Sequence, residues 1–144
     1  MSKTYIPVAL RKQVRLRANE VCEYCLLPEW VGFESYHIDH IISEKHAGST
    51  EADNLALSCR VCNLRKGSDI ATLLPDNPEP IALYHPRRDH WHLHFTLRED
   101  GKLVGLTEVG TATINLLQLN APNTRASREV LLAGEFEIIP RPLN

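Results

Sequence analysis

The sequence predicts an α+β protein, and three observations carry that prediction. Two short runs rich in branched apolar residues are separated by a long polar stretch and followed by a short helix-like segment. A basic amphipathic segment precedes them. A strand–turn–strand pattern with two further helix-like segments follows a proline-rich break. With 144 residues and 43% of them hydrophobic, the chain is long enough to bury one core and too apolar to be a disordered one. No run approaches the roughly 18 uninterrupted apolar residues of a spanning helix, and Met1–Thr4 lacks the apolar stretch of a secretory leader, so the expected setting is the cytoplasm with no membrane partner. Sixteen basic groups against 18 acidic ones exclude a uniformly basic, histone-like chain. Nucleic acid stays open, because phosphates respond to a local basic face.

Taken in order, Val8 to Ala18 reads as a helix with Pro7 at a tolerated early position, and Arg11 and Arg15, four apart, share one of its faces. Ser35 to Ile42 and Asn54 to Ser58 read as strands, and the polar residues 43–53 are too many for a tight hairpin. Val61 to Lys66 reads as a helix stopped by Gly67. The expected order is strand, loop, strand, helix.

The cysteines bracket this unit as Cys22-Glu23-Tyr24-Cys25 and Cys59-Arg60-Val61-Cys62. Two CxxC turns can aim four thiolates at one ion about 2.3 Å away, closing a tetrahedral zinc site with no open position. Disulfides are disfavoured in a reducing compartment, and neither pair sits in the βαβ context of a thioredoxin-like motif.

Asp39-His40, then Asn54-Leu55, then Cys59-Arg60-Val61-Cys62-Asn63-Leu64-Arg65-Lys66-Gly67 resemble the HNH endonucleases. The resemblance covers about residues 11–72. It implies a ββα-metal (His-Me finger) core flanked by two zinc-holding CxxC knuckles, acting on DNA. The third letter of the motif is Asn63 rather than His, which is similar to the HNH domain of RNA-guided CRISPR nucleases, where an Asn ligates the metal.

Phosphodiester hydrolysis needs a base for water, a cation for developing charge and help for the leaving oxygen. An imidazole is the side chain suited to take a proton near neutral pH, which makes His40 the expected general base. Asp39 and Asn63 offer hard oxygen donors to one Mg²⁺ or Mn²⁺, an ion distinct from the zinc of Cys22, Cys25, Cys59 and Cys62. By the resemblance, Asn54 hydrogen-bonds the backbone of the loop that carries His40. Lys66, three residues from Asn63, is expected to reach a phosphate, and Arg11, Arg15, Arg60 and Arg65 to line a nucleic-acid face. Taken singly, each of these residues has an ordinary structural use as a turn former, helix-surface group or core histidine; joint spacing beside the cysteines favours the chemistry. His37 is an additional metal or phosphate contact or a structural strand residue, and His46 a loop residue within reach of DNA or merely exposed.

Pro75, Pro78 and Pro80 divide an expected nuclease core, residues 1–74, from a carboxy-terminal annex, residues 75–144, which loosely resembles the end of small bacterial HNH proteins. In the annex, alternation from His90 to Leu97 predicts a strand burying Trp91, Leu93, Phe95 and Leu97, with His90, His92 and His94 on its other face. Asp100-Gly101 predicts the hairpin turn, Leu103 to Leu106 its second strand, and residues 111–119 and 127–133 helices. Arg87 and Arg88 are expected to extend a DNA surface. The sequence thus points to a metal-dependent DNA endonuclease; the competing expectations are a zinc-ribbon-like module that binds nucleic acid or protein without cutting, and a nuclease directed at RNA. Nothing in it fixes sequence preference or oligomeric state.

Overall fold

Two cysteine turns organise the first half by fastening the strands between them to the helix before and the helix after. The computed structural model describes residues 4–32 and 34–138. Helix α1 (Val8–Arg17) begins directly after Pro7, whose carbonyl accepts the Arg11 N–H, and it buries Val14 and then Ala18 against Leu55 and Leu57. Strand β1 (His37–His40) pairs antiparallel with β2 (Leu55–Ser58), His40 opposite Leu55. Each strand is shorter than the apolar run suggests. Ile41 and Ile42 leave the ladder to bond with Asn54, and the intervening loop is folded into two short 3₁₀ turns, Glu44–His46 and Ala52–Asn54.

Helix α2 (Arg60–Lys66) packs against β1, and its Cys59 cap accepts the Cys62 N–H on sulfur. It ends at Gly67, whose φ of 52° suits a residue without a Cβ. The β1–β2–α2 order is the expected strand, loop, strand, helix.

Beyond it, β3 (Ala71–Thr72) pairs with β4 (Ile81–Ala82) across the proline-rich segment. No sequence signal marks strands of two residues. The expected strand over 90–97 is corrected: its first half is a single helical turn, α3 (Trp91–His94), and only β5 (Phe95–Leu97) pairs with β6 (Leu103–Gly105). Residues four apart on a helical turn share a face just as alternate strand residues do, so the two patterns coincide for Trp91 and Phe95. Those rings stack at 5.4 Å in the core, while Leu93 is 64% exposed. Helices α4 (Glu108–Leu117) and α5 (Pro122–Ala133) start earlier than their apolar periodicity, α4 from a Thr107 hydroxyl cap and α5 with proline in its first turn.

One apolar cluster runs from Tyr24 and Leu26 through Ile41 and Ala56 to Phe95 and Leu117, so residues on both sides of the proline-rich segment share a core. No helix among the described residues is long and apolar enough to cross a membrane.

Candidate metal centre and active site

The first knuckle is shaped by its backbone. Leu26 takes a φ of 69°, its N–H reaches Cys22 O at 3.0 Å, and Cys22 N–H bonds Leu27 O at 2.9 Å, so the chain doubles back with both sulfurs inward. The Cys25 N–H points at Cys22 Sγ at 3.5 Å, and in the second knuckle Cys62 N–H points at Cys59 Sγ at 3.4 Å, the same arrangement twice. All four sulfurs lie within 4.8 Å of one another, and Cys25 Sγ and Cys59 Sγ are 3.8 Å apart. A tetrahedron with bonds of about 2.3 Å has edges of about 3.8 Å, whereas a disulfide needs about 2.05 Å. The four free thiols therefore have the ligand set and spacing of a closed structural zinc site.

Glu23, inside the first knuckle, locks the two halves. Its N–H bonds Leu57 O, its carboxylate accepts the Leu57 N–H, and it pairs with Arg87. Arg87, expected on a DNA surface, is thus drawn inward, because a carboxylate buried in the knuckle needs a cation.

His40 closes β1 and is 6% exposed. Its Nε2 lies 2.9 Å from Thr50 Oγ1 and 3.8 Å from Glu44 Oε1, and the Thr50 hydroxyl donates to Glu44 at 3.4 Å. The sequence reading missed Thr50 and Glu44, since nothing periodic in residues 43–53 distinguishes one polar residue from another. Asn54 holds the loop shut: Oδ1 accepts from Ile42 N–H at 2.9 Å, and Nδ2 donates to Ile42 O and Ser49 O, each at 2.8 Å. Gly48 sits where an added Cβ would fall 1.6 Å from Ile42 O, so only glycine fits beside this brace.

Asp39 precedes His40 at the end of β1 and is buried like it. Its Oδ2 accepts from the Tyr24 hydroxyl at 2.8 Å and from the Lys66 ammonium at 3.1 Å. Burial pushes the Asp39 carboxyl upward, opposed chiefly by the Lys66 charge and then by the Tyr24 bond. Lys66, expected to reach a phosphate, is instead 2% exposed and also donates to Ile41 O at 2.9 Å and His40 O at 3.3 Å. Those carbonyls belong to the last residue of β1 and the one after it. Asn63, one turn earlier on α2, is half-buried.

Two further basic residues expected at a nucleic-acid face carry internal bonds. Arg15 pairs with Glu29, which holds its guanidinium above the ordinary range, and Arg65 donates to Leu117 O and Gln118 O at the end of α4. Sequence spacing placed these residues on a helix face without showing which neighbour that face meets. Arg11, Arg60 and Arg88 are exposed, Arg60 lying 3.8 Å from an equally exposed Glu34. His37 and His46 are exposed as well. The histidine row of the annex is broken by α3, with His94 Nδ1 2.6 Å from Thr107 Oγ1. Among the described residues, the cysteine quartet is the one group of three or more His, Cys, Asp or Glu close enough to hold an ion.

Residues 22–69, from the first cysteine to just beyond Gly67, match the family model described as HNH endonuclease. The four cysteines fit the zinc knuckles of an HNH domain, and α1 and everything after residue 69 lie outside the match. A search of curated proteins and a search of solved structures each found no match.

Proposed function

We propose that the protein is a metal-dependent endonuclease hydrolysing DNA phosphodiesters, with His40 as general base. The observation that carries this reading is the clamped, oriented imidazole of His40 inside the segment matched by the HNH model. Thr50 gives its hydroxyl hydrogen to Glu44 and accepts from the Nε2–H of His40, which leaves the Nδ1 lone pair for a proton from water. Glu44 Oε1 lies 3.8 Å from the same Nε2 and so flanks the ring on the Thr50 side. Asn54 keeps that geometry by fixing the loop on which Thr50 and Glu44 ride.

Asp39 and Asn63 would hold a Mg²⁺ or Mn²⁺ ion: both bring oxygen donors, from two elements packed on each other, and the bonds of Asp39 to Tyr24 and Lys66 both use Oδ2. When bound, the ion would supply positive charge for the phosphate and the leaving oxygen. The exposed Arg11 and Arg60 are the cations we assign to backbone contacts.

Purified protein carrying zinc is incubated with supercoiled plasmid and a matched RNA, with and without Mg²⁺ or Mn²⁺, beside His40→Ala. The expected result is metal-dependent cleavage of DNA that falls at least about 100-fold in the variant while zinc content is unchanged. Wild-type protein with full zinc that binds nucleic acid and never cuts it refutes the enzyme and favours the binding module; cleavage confined to RNA refutes the substrate.

A further inference from the structure

A guanidinium taken out of water is tolerated only where its charge is answered. Among the described residues two cations are buried, Lys66 and Arg128. Lys66 pairs with Asp39. Arg128, on α5, is 0% exposed and is bonded only to neutral oxygens: Nε to Gly101 O at 2.8 Å, Nη1 to Cys25 O at 3.1 Å, and Nη2 to Leu119 O at 2.6 Å and Asn120 Oδ1 at 3.1 Å. These bonds occupy four of its five N–H groups and none of them comes from a carboxylate, so its charge is unmatched. The backbone it reaches through Nη1 is that of Cys25, one of the four cysteines of the quartet.

Four thiolates around a divalent ion carry a net charge of about −2. That excess sits in a closed site with three of its four cysteines buried, where water does little to spread it. Arg87, also brought to the knuckles, is matched by Glu23, and Arg60, within the second, lies exposed beside Glu34. Arg128 is therefore placed beside the quartet, through the carbonyl of Cys25, with its own charge unspent.

We propose that Arg128 is the internal counter-ion of the zinc tetrathiolate, so that a residue outside the HNH segment sets how tightly the metal is held. The proposal rests on the zinc reading of the quartet and not on the nuclease reading. It gives the carboxy-terminal helices a role that packing alone does not: α5 carries the charge, and Asn120, bonded to both Leu103 N–H and Leu103 O, holds its seat.

The test is zinc transfer from the full-length loaded protein to a chromophoric chelator, with Co²⁺ competition giving relative affinities. Arg128→Met is expected to weaken zinc binding about 10–100-fold, the range for residues that support metal ligands from behind, and Arg128→Lys to stay nearer wild type. Asn120→Asp keeps the acceptor for the guanidinium and for Leu103 N–H, sets a carboxylate on the charge and loses the donor to Leu103 O, so it is compared with Asn120→Ala, which loses both Leu103 bonds and adds no charge; Asn120→Asp is expected to weaken zinc binding further than Asn120→Ala. A mere docking anchor behaves differently: Arg128→Lys then loses as much as Arg128→Met, and Asn120→Asp holds zinc as well as Asn120→Ala or better. Either of those results, or an unchanged Arg128→Met, overturns the proposal. If Arg128→Met does not fold, the two Asn120 variants decide. Wild-type protein that holds no zinc overturns both this inference and the reading beneath it, whereas zinc retained equally by wild type and Asn120→Asp overturns this inference only.

Discussion

Asn54→Asp changes almost nothing in shape and reverses the chemistry of the loop that carries His40. The native amide is 6% exposed, and its Nδ2 donates to two carbonyls, Ile42 O and Ser49 O, at 2.8 Å. A carboxylate keeps the acceptor for Ile42 N–H but aims an oxygen at those carbonyls. Two lost hydrogen bonds cost about 1–3 kcal/mol together, and the repulsion adds to that. The alternative is for the new carboxyl to stay protonated and restore one bond, at a cost of about 1.4 kcal/mol for each pH unit above an ordinary Asp value of about 3.9. The charged route sets a floor of about 1–3 kcal/mol, and the protonated route a ceiling of about 5 kcal/mol near pH 7, about 4.3 for the proton and the rest for the bond still lost. The sign follows from the folded-state pKa being raised: the protonated variant is the compatible one, so the defect relative to wild type grows as pH rises from 5.5 to 7.5. Asn54→Ala loses all three bonds with no such slope. Urea unfolding of the zinc-loaded proteins, followed by tryptophan fluorescence, measures both. A variant within 0.5 kcal/mol of wild type at pH 7.5, where hydrogen-bond loss alone predicts about 1–3, or a defect equal at the two pH values, refutes the brace.

Lys66→Met should destabilise by about 3–5 kcal/mol, since it leaves the buried Asp39 carboxylate without its cation, and Asp39→Asn in the same chain should recover most of that; a loss under about 1 kcal/mol in urea melts contradicts the buried pair. His85 is held below the ordinary histidine range by burial and then by Arg88, and its Nδ1 accepts the Arg87 N–H. Its neutral form is the folded one, so stability is full above an unfolded value of about 6.5 and falls with pH below it; thermal melts of wild type and His85→Asn should diverge on acidification, and parallel curves count against it. Thr50→Val removes the acceptor of His40 Nε2–H, so cleavage should fall at least about tenfold with zinc content unchanged, and equal rates for variant and wild type reject the relay. Stripping zinc with a chelator should expose the Leu57 amide to hydrogen exchange, because that amide is held by Glu23 of the first knuckle; protection that survives metal loss argues that packing alone holds the unit.

Local chemistry explains why the first half was legible. CxxC is a turn that can aim two sulfurs only one way, Gly67 stops a helix at its own position, and the strand–loop–strand–helix order follows from short runs of apolar residues. The annex was legible only in part. The Asp100-Gly101 turn announces its hairpin, but α3 hides in an alternating run, because four residues fit either period and the stack of Trp91 on Phe95 decides between them. Charged residues were the least readable. Arg15, Arg65, Lys66 and Arg87 look alike as solvated cations, yet each has an internal partner from a distant part of the chain.

By itself, then, the sequence determined the cysteine quartet, the motif residues and the order of elements, all of which depend on neighbours within a few positions. Tertiary structure alone decided which cations turn inward, that Thr50 and Glu44 attend His40, and that Arg128 reaches the first knuckle from the far end of the chain. The physical reason is that a charge or hydroxyl takes its role from whatever it meets when water is removed, and that partner is set by packing across the whole molecule.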